Sequence, residues 1–175
     1  MHFVEYTAQG EDGRDAIVEV ARHVHAFNRE HGNHLGIDFP ELVPDGSLTT
    51  ANRIRVFGQQ SALSTFIAQP RGLRLLGMGH VARTALTVAP ENVPLAAVVR
   101  DNAADKNKPS HAARRQTRGI PAYRGKSVTP GFTLNLTSKS TGESFSLKMR
   151  KKIADESAVQ FNSYGLCTGG GLPQF

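Results

Sequence analysis

The chain has 175 residues, 39% of them hydrophobic and 21% charged, with a formal net charge of +6 and a single cysteine, Cys167. That apolar share suffices for a packed core, a lone cysteine excludes an internal disulfide framework and a cysteine-based zinc site, and no stretch approaches the roughly eighteen consecutive apolar residues of a membrane-spanning helix. The charge is unevenly divided: residues 96–175 hold 13 Lys+Arg against 5 Asp+Glu and residues 1–95 hold 8 against 10, so only the C-terminal half is suited to meeting a polyanion.

His2 to Ala8 reads as a strand, and Gly13 opens a helix in which Ile17, Val20, Ala21, Val24 and Asn28 share one stripe. Gly32 with Asn33 ends that helix, and His34 to Phe39 forms a strand stopped by Pro40. After a loop running to Ala51, Arg53 to Phe57 alternates as a strand and Ser61 to Ala68 is a helix with Ser61 as its N-cap. Leu73 to Val88 contains a fourth strand. The order β-α-β-β-α-β is that of a ferredoxin-like domain, an α+β class.

Pro and Asn within Glu91 to Pro94 mark a boundary, giving a first domain over 1–92 and a smaller basic domain over 93–175. Leu95 to Arg100 reads as a strand, and Ser110 caps a short helix, His111 to Arg118, closed by Gly119. That helix carries Arg114, Arg115 and Arg118, with Lys106 and Lys108 just before it. Such a cluster of cations repels itself unless solvated or bound to phosphate, and a helix of this width fits a groove of duplex RNA. Phe132 to Ser138 and Ser144 to Lys152 form a hairpin around Ser-Thr-Gly-Glu. Strand alternation puts Phe145, Leu147 and Met149 on one face, which marks Phe145 as core, and Lys148, Arg150 and Lys152 on the other. A final strand covers roughly Ala158 to Leu166.

Seven histidines invite a metal hypothesis, but His23 and His25 point about 200° apart on a helix, and His31 and His34 straddle a helix end without a matching carboxylate or cysteine set. The expectation is no metal and no cofactor; Walker, dinucleotide and Gly-x-Ser-x-Gly motifs are all missing. His25 lies at the flank of the apolar stripe, where an imidazole is either a partly buried structural group or one oriented by packing while still reaching substrate. Ser138 and Ser140 share a strand face at its turn end and read as turn formers or as hydroxyls set among cations; Tyr164 reads as a strand-end aromatic.

Taken together, Val24-His25-Ala26-Phe27-Asn28, Gly36-Ile37-Asp38-Phe39-Pro40, Ser138-Lys139-Ser140-Thr141-Gly142, Ser163-Tyr164-Gly165-Leu166 and the ending at Pro173 and Phe175 resemble, in order and over nearly the whole chain, the type I-F CRISPR repeat-processing endoribonucleases of the Csy group. The resemblance implies a ferredoxin-like domain followed by a basic one, and metal-independent cleavage at the 3′ base of a repeat hairpin. It places the active site on His25, Ser138 and Tyr164, and the groove-entering arginines on Arg114, Arg115 and Arg118. A base-reading Arg-x-Gln pair falls on Arg100 and Asn102, and a phenylalanine supporting the terminal base pair falls on Phe145. Lys106, Lys108, Ser140, Lys148 and Arg150 complete the expected RNA-binding set. The implied partners are the repeat RNA or crRNA and the other subunits of a type I-F surveillance complex holding one copy of this chain, in the cytoplasm and away from any membrane. The competing reading is a non-catalytic RNA-binding module on a ferredoxin-like scaffold, against which stands the lack of an RNP1 pattern of alternating aromatics on any strand.

Overall fold

The structure is a computed structural model that describes residues 1–101, 109–120, 131–137, 142, 144–156 and 158–175. The first strand, β1 (His2–Ala8), leads into helix α1 (Gly13–His31). That helix forms because Ala16, Ile17, Val20, Ala21, Val24, Phe27 and Asn28 recur at helical spacing and are all buried, while Asp15 in the first turn and Arg29 and His31 in the last complement the helix dipole. Then come β2 (Gly36–Asp38), β3 (Arg53–Gly58), α2 (Gln60–Ala68), α3 (Pro70–Gly77), β4 (Val81–Arg83) and β5 (Thr87–Val88). The strands order as β2-β3-β1-β4 with every pair antiparallel, and β5 pairs with the start of β1.

The α+β class expected from the sequence is met, with local corrections. The second strand is shorter than His34 to Phe39. Ser61 lies inside the first turn of α2 and is not its cap, which is Gln59. Leu73 belongs to α3, a helix begun by Pro70, where a proline's missing N–H costs nothing.

The second half supplies β6 (Leu95–Arg100), α4 (Pro109–Thr117), β7 (Phe132–Thr137) and β8 (Ser144–Ala154), followed by the short strands β9 (Gln160–Phe161), β10 (Cys167–Gly169) and β11 (Leu172–Pro173). A four-stranded antiparallel sheet runs β11-β6-β8-β7, and β9 pairs with β10. Ser110 is the second residue of α4 and not its cap. The helix does close at Gly119 (φ 64°), whose N–H reaches the Gln116 carbonyl while Ile120 N–H reaches that of Arg115. The single last strand expected over Ala158 to Leu166 is broken by a turn at Asn162 to Gly165. Among the described residues no helix is long and apolar enough to cross a membrane.

Apolar residues of both halves join one core: Val4, Tyr6, Val20, Val24, Ile54 and Phe66 from the first share it with Val98, Phe132, Leu134, Leu147 and Met149 from the second. At the seam Lys151 and Asp38, both essentially inaccessible, form an ion pair at 2.6 Å. Lys151 Nζ also donates to the Phe39 carbonyl (2.9 Å) and to Gln174 Oε1 (2.8 Å). Burial pushes the Asp38 carboxyl above the usual carboxylate range, opposed by the Lys151 ammonium. On the same face of the first sheet as Asp38, its cross-strand partner Arg55 donates to Glu5 Oε2 (2.7 Å) and lies 4.1 Å over the ring of Phe175.

Candidate active site

Two histidines two places apart on α1 meet opposite fates, as a period of 3.6 residues requires. His23 is buried toward the helix pair α2–α3, where its Nε2 donates to Gln69 Oε1 at 2.6 Å and its ring packs 4.3 Å from Phe66. Burial holds its pKa below the ordinary histidine value despite the Gln69 bond. His25 faces the second half of the chain and is half-buried. Its Nδ1 is 3.0 Å from the Ser163 carbonyl, and its ring stacks on Tyr164 with centroids 4.1 Å apart and planes 4° from parallel. A carbonyl only accepts, so Nδ1 carries the hydrogen and the neutral ring keeps its lone pair on Nε2.

Tyr164 reaches this position because Asn162 builds a turn around itself. Its Oδ1 accepts from Tyr164 N–H (2.9 Å) and Leu166 N–H (3.1 Å), and its carbonyl accepts from Gly165 N–H (2.9 Å). Gly165 has φ 77°, and its carbonyl takes the Ile37 N–H at 2.9 Å, stitching the turn to β2. Asn28, one turn along α1 from His25, brackets Leu35 with Nδ2 to its carbonyl (2.8 Å) and Oδ1 from its N–H (3.0 Å), and Nδ2 also reaches the Asn162 carbonyl at 3.4 Å. Both asparagines escaped the sequence reading as site residues. The available signals were a polar residue on an otherwise apolar stripe and an asparagine three places before a glycine.

Phe145 is not the core residue that alternation predicted. It continues the Leu147/Met149 face at the turn end of β8, beyond where the core stops, and is 37% exposed. Its ring meets Tyr164 edge-on at 6.4 Å, so His25, Tyr164 and Phe145 form a consecutive aromatic series open to solvent at one end.

The described basic residues do not share one surface. Arg114 and Arg118 are exposed around the end of α4, with Arg115 half-buried between them. In the sheet, Arg100 is paired with Met149 and Val99 with Arg150, so the side chains of Lys148 and Arg150 leave the face opposite to that of Arg100 and Phe145. Lys151 is turned inward to Asp38. Asn102, Lys106, Lys108, Ser138 and Ser140 lie outside the described residues. A cleft of about 480 Å³ between α1 and β7 is lined by Arg14, Asp15, Glu19, Arg22, Thr133 and Asn135. Its four charges balance, so it lacks the cationic surplus of a phosphate groove. Cys167 is buried, which pushes its thiol up to about 11 and keeps it a poor nucleophile.

An α+β scaffold that presents an imidazole of defined tautomer on a tyrosine ring, in a chain whose C-terminal half is strongly cationic, has the build of an acid–base enzyme for a polyanionic substrate. The sequence agrees with that class. The family described as CRISPR-associated protein (Cas_Csy4) matches residues 14–175, and the chain belongs to this family. It is a CRISPR-associated repeat-processing endoribonuclease. No curated protein matches it.

Proposed function

We propose that the protein binds the repeat stem-loop of precursor crRNA and cuts it at the 3′ base of the stem without a metal ion. The 2′-oxygen of the ribose at the cut attacks its own 3′-phosphate: the new O2′–P bond forms, the P–O5′ bond breaks, and the products end in a 2′,3′-cyclic phosphate and a 5′-OH. Because the nucleophile is part of the substrate, the enzyme has to supply only in-line geometry and proton transfer. His25 Nε2 takes the 2′-OH proton, Ser138 holds the ribose, and Tyr164 orients the base or phosphate. The observation that carries this reading is the Nδ1 contact to the Ser163 carbonyl, which leaves Nε2 as the basic nitrogen of the neutral ring.

In this reading residues 93–175 bind the RNA and residues 1–92 present the base. Arg114, Arg115 and Arg118, with Lys106 and Lys108, hold the major groove of the stem; Arg100 and Asn102 read bases next to the cut, Phe145 supports the terminal base pair, and Ser140, Lys148 and Arg150 contact the backbone. The product stays bound, and one copy of the protein remains on crRNA within a type I-F surveillance complex in the cytoplasm.

The test is cleavage of the host's repeat hairpin in EDTA by wild type and His25→Ala, with the product ends determined. A single cut leaving a cyclic phosphate, slowed about 10²–10⁴-fold by the substitution while stem affinity is unchanged, is the expected result. Cleavage of a substrate with 2′-deoxyribose at the cut, or tight binding by wild type without cleavage, would overturn the reading, the second outcome in favour of a non-catalytic RNA-binding module.

A further inference from the structure

We infer that Asn162, supported by Asn28, is a positioning residue that sets the geometry of the His25–Tyr164 pair. The inference builds on the assignment of His25 as the base. His25 makes two contacts that define its ring, the stack on Tyr164 and the bond to the Ser163 carbonyl, and both come from the turn that Asn162 organises. Helix α1 supplies neither, so the pose of the imidazole depends on where that turn sits.

Asn162 Oδ1 collects two N–H groups, Tyr164's and Leu166's, that flank the left-handed Gly165. With the acceptor removed, neither is satisfied within the turn, and the peptide carrying the Ser163 carbonyl is released along with the Tyr164 ring. Asn28 fixes the other side: its amide ties the Asn162 carbonyl and both polar groups of Leu35 to the helix that carries His25. Two amide side chains thus connect the helix, the α1–β2 loop and the catalytic turn. Displacement of a reacting group by about 1 Å is enough to cost on the order of 10²-fold in rate.

The experiment compares Asn162→Ala, Asn162→Ser and Asn162→Asp with wild type, reading the single-turnover cleavage rate at saturating enzyme, the dissociation constant for the stem-loop, and the NMR shifts of the His25 ring protons. Tyr164→Leu provides the unstacked reference for those shifts. Aspartate keeps an acceptor at the same reach, so Asn162→Asp should cut within about threefold of wild type and keep its His25 shifts. Serine should fall below aspartate, and alanine should lose about 10–100-fold in rate, with affinity within about twofold and the His25 shifts moved toward those of Tyr164→Leu. Should the alanine variant fail to fold, serine against aspartate makes the same comparison. An alanine variant with wild-type rate and shifts, an aspartate variant as impaired as alanine, or a rate loss matched by an equal loss of affinity would each overturn the inference. If wild type does not cut the hairpin at all, the functional reading fails, while the shifts still decide whether Asn162 holds the pair.

Discussion

Replacing Lys151 with methionine keeps the length of the stem but removes the ammonium from a site that is 1% exposed, leaving Asp38, at 0%, without its ion-pair partner and with only the Arg55 guanidinium still attracting it. Breaking a buried pair in this way costs about 3–5 kcal/mol. The Phe39 carbonyl and Gln174 Oε1 also lose a donor, at about 1–3 kcal/mol for an acceptor left buried and unsatisfied. Against a total of about 5–15 kcal/mol for a domain, Lys151→Met should remove a third of the stability or more, seen as a lower midpoint in urea with an unchanged slope. The loss should also depend on pH. Burial raises the Asp38 pKa and Lys151 opposes that rise, so removing Lys151 raises it further. The folded variant then holds a proton that the unfolded chain releases above its ordinary carboxylate pKa, and its stability grows as pH falls through the raised value. The double variant Asp38→Val/Lys151→Met should recover at least half of the loss, because it removes the stranded charge. A Lys151→Met protein within about 1 kcal/mol of wild type, or equally destabilised at pH 5 and pH 8, would refute the reasoning.

His23 gives a second pH effect of opposite sign. Its burial lowers the folded pKa below the unfolded value of about 6.5, so the unfolded chain binds the extra proton and stability should fall as pH drops below that value, by at most about 1.4 kcal/mol per pH unit. In His23→Phe, which keeps the contact with Phe66, that component of a urea titration between pH 7.5 and 5 should vanish; an unchanged slope would show that His23 is not its source. Gly165→Ala forces a side chain onto φ 77° and brings a methyl to 3.1 Å from Val24 Cγ1 and 3.2 Å from the Leu35 carbonyl oxygen. It should cost more than the roughly 1–2 kcal/mol of the left-handed conformation alone, whereas Gly169→Ala, with open space at its Cβ, should not change the melting temperature.

Much of the site was legible in the chain because helical periodicity is a local property. The stripe of Ile17, Val20 and Val24 put His23 and His25 on diverging sides of α1, and that divergence is the one observed. Alternation along β8 likewise separated Phe145, Leu147 and Met149 from Lys148 and Arg150. It failed at the turn end of the strand, since alternation says which residues share a face and not how far the core beneath that face extends. Phe145 therefore emerges beside Tyr164, while Lys151, which shares the Leu147/Met149 face, is buried against Asp38.

By itself the sequence determined the α+β class, the order of the principal elements, the cationic bias of the second half and the family, because these rest on composition, short-range period and motif. The tertiary structure alone decided that the Ser163 carbonyl holds His25 Nδ1 from 138 residues away and that Tyr164 meets the imidazole as a parallel stack. It also decided that Asn162 shapes their turn, and that Arg100 leaves the sheet on the face opposite to Lys148 and Arg150. These depend on the register between strands and on the packing of β2 against the 162–166 turn, which are long-range contacts that no local pattern encodes.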